Sequence, residues 1–234
     1  MTRRASTPTA PPGETAWYGK VPARGDFVSH GLSPGQVRAW DRWLLRGIKQ
    51  ASQRWAGAEF DRRLQTFPAW RFMAWPEGQA HLPWAGVLVP SHDRVGRAFP
   101  LTVAQRLDAH SLPLLGWLDI EAALARMADA AFDATDVNDP RAVENFESVL
   151  RDLGPVFAPE RVAARVDMRV EAPPGGAPAR PQQSPLDLLR NSPGTHSLWW
   201  SEPAPGATPL PLGDSWPPHV ELLLDILALP GDPA

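Results

Sequence analysis

No cysteine occurs in the 234 residues, which excludes a thiol nucleophile, a disulfide framework and any cysteine-held zinc or iron–sulfur group. Long apolar runs are missing too. Even Val220–Leu229 is interrupted by Glu221 and Asp225, well short of the ~20 residues that span a bilayer. Basic charge is scarce: the formal net charge is −3, and a nucleic-acid binder needs a surface that displaces counterions from phosphate. Lys20 and Lys49 are the only lysines, so nearly all positive charge is arginine. The six histidines form no pair one helical turn apart and no His-Glu-x-x-His pattern, so no metal is expected. Glycine-rich phosphate loops are absent as well, and no cofactor is expected.

Hydrophobic residues make up 43% of the chain, with 11 tryptophans against the single tyrosine Tyr18. That is enough to bury a real core, and each enclosed indole removes roughly 150–250 Å² from water. Packing explains this tryptophan content better than ligand stacking. Residues 1–16, rich in Thr, Pro and Ala with no apolar stretch after Arg3 and Arg4, read as a disordered lead-in rather than a signal peptide. The expected location is the cytoplasm.

Trp17–Pro22 reads as a short strand ended by proline, and Ala23–Asp26 as a turn. Ser33-Pro34 marks a helix start, followed by an apolar stripe at Val37, Trp40, Trp43 or Leu44, Ile48, Ala51 and Trp55. Asp41 then sits at the edge of that stripe or is buried against an arginine. A shorter helix is expected over Glu59–Gln65. Three apolar runs, Trp70–Trp75, Trp84–Val89 and Phe99–Gln105, suggest an antiparallel meander, with Pro100 marking a strand start or an edge. Helices are expected over Leu118–Phe132 and over Arg141–Leu153, the latter capped by Asp139-Pro140. Val162–Val170 reads as a strand or an irregular piece, and residues 172–185 as a flexible Pro/Gly-rich loop. Ser197–Trp200 with Ala207–Leu212 reads as a closing hairpin, and Pro217–Leu229 as a last helix. No internal repeat is visible. The order of elements predicts an α+β fold, a mainly antiparallel sheet flanked by helices, in one domain over 17–234.

Two segments concentrate charge on glycine-containing loops that leave apolar strands. The first carries Lys20, Arg24 and Asp26, and the second carries Ser91, Asp93, Arg94 and Arg97. These residues, with Arg71 nearby, are expected to converge into one polar surface, used as an ion-pair network that fixes the loops or as a partner or anion contact. A Ser91 nucleophile assisted by Asp93 is the catalytic alternative, a hydrolase or phosphate-handling site centred on Ser91, Asp93 and Arg97. His92 is a poor base for it, because neighbours on an extended segment point to opposite sides. The Gly-x-Ser-x-Gly elbow is also missing.

In order along the chain, Trp17-Tyr-Gly-Lys-Val-Pro-Ala-Arg-Gly-Asp-Phe27, Trp40-Asp-Arg-Trp-Leu44, Pro68-Ala-Trp-Arg-Phe72, Trp84–Ser91 running into Asp93–Arg97 and Phe99–Thr102, and Ser197-Leu-Trp-Trp200 resemble successive blocks of the TagF family. That resemblance implies an accessory protein of a bacterial type VI secretion system. It implies a non-enzymatic, post-translational repressor of assembly or firing that binds the system's forkhead-associated scaffold protein. Nucleic acid and direct membrane insertion have no place in that picture. Some relatives carry a fused phosphatase domain, and this chain is expected to be the stand-alone form. A structural subunit of the secretion machine is a third reading.

Overall fold

A computed structural model describes residues 10–75, 83–107, 117–157, 196–201, 212–215 and 217–228. Strands β1 (Thr15–Gly19), β2 (Val28–His30), β3 (Trp70–Ala74), β4 (Trp84–Val89), β5 (Leu101–Arg106), β6 (Ser197–Ser201) and β7 (Leu212–Asp214) form one antiparallel sheet in the order β2-β1-β5-β4-β3-β6-β7. The α+β class and the β3-β4-β5 meander are as the sequence predicts.

The register decides which residues face which layer. Trp17, Val103, Val87, Arg71 and Trp200 form one row across five strands. This face packs on α3 (Trp117–Asp133) and α4 (Pro140–Asp152) through Ile120, Leu124, Met127, Ala131, Phe146 and Leu150. The adjacent row, Ala16, Ala104, Gly86, Phe72 and Trp199, points the other way. It meets α1 (Pro34–Arg54), α2 (Ala58–Thr66) and α5 (Val220–Leu227). Antiparallel sheets often leave one face in water, but here both are covered, so β4 is buried at every position. That is why its sequence reads as an unbroken apolar run.

Local chemistry starts the helices as expected. Ser33 Oγ accepts from Gln36 N at 3.2 Å while Gln36 Oε1 accepts from Ser33 N at 2.8 Å, a capping box with Pro34 in the first turn. Asp139 caps α4 by accepting from Arg141 N at 2.8 Å, and α4 bends at Asn145, where φ is −151° and ψ 71°. Trp40 and Trp43 of α1 pack with Phe72 and Trp199, ring centroids lying 4.8–5.8 Å apart, so the aromatics serve as core. Gly47 lets α5 approach closely, since a Cβ there would stand 2.5 Å from Leu223 Cδ2.

Several boundaries differ from expectation. β1 starts at Thr15 and ends at Gly19, so residues 15 and 16 belong to the sheet rather than to a lead-in. Ala10 is buried and donates its N–H to Gly31 O at 2.7 Å. The strand β2 has no counterpart in the sequence reading. Pro100 does mark a strand start, the first of the two alternatives: β5 begins directly after it and lies inside the sheet. β6 pairs with Leu212–Asp214, Trp199 standing opposite Leu212, while residues 207–211 of the expected hairpin lie outside the described residues. Val162–Val170, the 172–185 loop and residues 1–9 lie outside the described residues. Among the described residues, no helix is long and apolar enough to cross a membrane.

Candidate functional site

Antiparallel pairing of β1 with β5, and of β5 with β4, brings the chain leaving β1 beside the connection between β4 and β5. A Cβ on Gly19 would lie 2.2 Å from Pro100 O, so only glycine permits the approach that sets the two loops side by side. The second loop folds back on itself: Asp93 N donates to Arg97 O at 3.1 Å and Gly96 N to Asp93 O at 2.9 Å, with Gly96 at φ +82°.

At the centre stands the fully buried carboxylate of Asp93. Its Oδ2 takes Lys20 Nζ at 3.1 Å and Arg97 Nε at 2.6 Å. Its Oδ1 accepts the backbone N–H groups of Val95 and Arg97, both at 3.0 Å. Burial opposes the charged form. The Arg97 N–H, the Lys20 ammonium, the Arg97 guanidinium and the Val95 N–H together outweigh it and hold the carboxyl well below the usual carboxylate range. Three further bonds cross between the loops. Ser91 Oγ donates to Lys20 O at 2.7 Å, Arg94 N to Arg24 O at 2.8 Å, and Arg97 Nη2 to Gly25 O at 3.0 Å.

The structure therefore brings together Lys20, Arg24, Ser91, Asp93, Arg94 and Arg97. Lys20, Ser91 and Asp93 are interior, whereas the side chains of Arg24, Arg94 and Arg97 are exposed. The exposed Asp26 lies on the same loop and uses Oδ1 to accept from Phe27 N at 2.8 Å. Arg71 is placed differently. Its row in the sheet turns it towards α3, where its Nε lies 3.7 Å from Glu121 Oε2.

Sequence reasoning missed the aromatic support of the first loop. Phe27 stacks on Tyr18 at 5.8 Å and meets Phe99 edge-on at 4.8 Å, yet remains 43% exposed. Tyr18 donates its hydroxyl to Asp41 Oδ1 at 2.5 Å, so the carboxylate on α1 is held by a phenol rather than by an arginine. Desolvation, then this hydrogen bond and the negative charge of Asp41, push the phenol far above its ordinary pKa. Position 27 directly after a turn and the strand position of Tyr18 were the available signals.

For hydrolysis the arrangement is poor. The Ser91 hydroxyl is used on Lys20 O, and His92 Nδ1 lies 2.8 Å from Asp93 O rather than near Ser91 Oγ. The adjoining cleft, about 300 Å³, is lined by Gln65, Pro90, Ser91, His92, Phe132 and Thr135, without a carboxylate. Among the described residues, no three His, Asp or Glu side chains gather as metal ligands.

The family model for the TagF N-terminal domain, type VI secretion system-associated, matches residues 16–153. The crystal structure of PA0076 from Pseudomonas aeruginosa PAO1, at 2.05 Å resolution, is similar over 94% of this chain and 99% of that one, with 26% identity and a TM-score of 0.59. No curated protein matches the chain.

Proposed function

The chain belongs to the TagF N-terminal domain family of type VI secretion system-associated proteins, and on that premise we propose that it is a cytoplasmic, non-enzymatic repressor of secretion-system assembly or firing. It acts by binding the forkhead-associated scaffold protein of the system, using the surface built by the β1–β2 and β4–β5 loops. The family match supports the connection to secretion. The binding half rests on one observation: Ser91, Lys20 and Asp93 are spent on one another, bracing two loops whose arginines are left at the surface. A catalytic group must reach a reacting atom with its proton or lone pair available. Here the only hydroxyl of the second loop and its only carboxylate are already satisfied inside the protein.

A braced loop pair suits recognition, since little ordering is left for the binding event to drive. The test is secretion itself. In the bacterium that carries this chain, its deletion raises release of the system's substrates and its overproduction lowers it, with transcript levels of the secretion genes unchanged. Release that ignores both manipulations overturns the repressor reading.

A further inference from the structure

Asp93 is one carboxylate shared by Lys20 and Arg97 on the same oxygen, and with Arg24 and Arg94 set against the exposed Asp26 the loop pair still holds more positive than negative charge. Arg24 lies over the Phe146 ring at 5.3 Å. Among the described residues, the Arg94 guanidinium makes no ion pair and no hydrogen bond, although its Nη2 would stand 3.3 Å from a Cβ on Gly25. Arg97, tied to Gly25 O and Asp93 by two of its N–H groups, is still 64% exposed along its side chain. On the same two loops Phe27 and Val95 are open to water, Val95 by 70%.

Resting on the partner-binding reading above, we propose that the tip of these two loops is the contact face, and that it takes an acidic segment of a protein partner bearing an apolar side chain. Arg24, Arg94 and Arg97 receive carboxylates, and Phe27 and Val95 flank the apolar residue. Arginine and aromatic residues together are the composition that carries binding energy at protein interfaces. A guanidinium presents a fork of donors matched to a carboxylate. The net charge of −3 works against extended polyanions, whereas a short acidic segment meets only the local surplus.

The test is an amide-resolved NMR titration of the whole chain with an Asp/Glu-rich peptide containing leucine, and with the same peptide carrying Asn and Gln in place of every acid. The acidic peptide is expected to shift the amides of Gly25–Phe27 and Arg94–Arg97, and the amide version to leave them in place. Arg24→Glu with Arg94→Glu weakens binding more than tenfold with unchanged dispersion elsewhere, because neither side chain takes part in the Asp93 clamp. Absent shifts, or shifts centred on another surface, overturn the proposal. Equal response to inorganic phosphate, duplex DNA or anionic lipid vesicles makes the face a general anion patch, which also overturns it. Shifts of the same amides on concentrating the protein alone assign the face to a second copy instead. The scaffold is absent from this titration, so its failure leaves the repressor reading standing, and a scaffold that does not bind leaves the peptide result standing.

Discussion

Lys20 and Asp93 are separated by 73 positions in sequence, and the ammonium of one stands 3.1 Å from the carboxylate of the other in the protein interior. That pair ties the exit of β1 to the exit of β4. Removing one member leaves the other charge enclosed without compensation, which costs far more than a surface ion pair contributes.

Asp93→Asn is therefore expected to lower Tm by roughly 10 °C, read by thermal unfolding. The pH dependence follows from the lowered folded-state pKa. The stabilisation is fully present above the unfolded carboxylate pKa of about 3.9 and declines as pH falls below it, towards the depressed folded value. In urea titrations the advantage of wild type over Asp93→Asn narrows on acidification. An advantage that is constant from neutral pH to well below 3.9 contradicts the clamp.

Tyr18 gives an alkaline counterpart. It is the chain's single tyrosine, so near-ultraviolet tyrosinate absorbance reports it alone. Its folded pKa is raised, so its contribution is intact below the unfolded value of about 10 and is lost as pH rises beyond it. Tyrosinate should appear together with alkaline unfolding, and Asp41→Asn should let it appear at lower pH. Ionisation near pH 10 with the fold intact would show the Tyr18–Asp41 contact to be wrong.

Gly47 sets the contact between α1 and α5. Gly47→Ala gains up to about 1 kcal/mol of helix propensity, which partly masks the overlap with Leu223. Gly47→Val has a poorer propensity and more bulk, so a net loss of about 2 kcal/mol is expected in denaturant unfolding. A neutral Gly47→Val would mean that the two helices do not touch there.

Ser91→Ala separates the bracing role from the catalytic one. Losing the bond to Lys20 O costs about 1 kcal/mol of stability, with no effect on ester or phosphoester turnover. Hydrolysis by wild type that disappears in Ser91→Ala would restore the enzyme reading.

The helices were legible because their signals are local. Ser33-Pro34 supplies an N-cap and a first-turn proline to α1, and Asp139-Pro140 supplies the same two features to α4. The β3-β4-β5 meander was legible because neighbours in sequence pair in space. β2 was not, since Val28-Ser-His30 is too short to show a period and exists through pairing with Trp17–Gly19. The convergence of the charged loops was expected from their chemistry, but its geometry depends on the β1–β5 register. Arg71 shows the remaining gap. Strand alternation puts it opposite Phe72, yet only the covering layers decide that this side faces α3 and Glu121 rather than the loops.

The most direct measurement is a calorimetric titration of the purified chain with the forkhead-associated scaffold of the same bacterium, repeated with Arg94→Glu. The account predicts saturable binding by wild type and at least tenfold weaker binding by the variant, which is at least about 1.4 kcal/mol. No binding by a folded wild-type chain would contradict it.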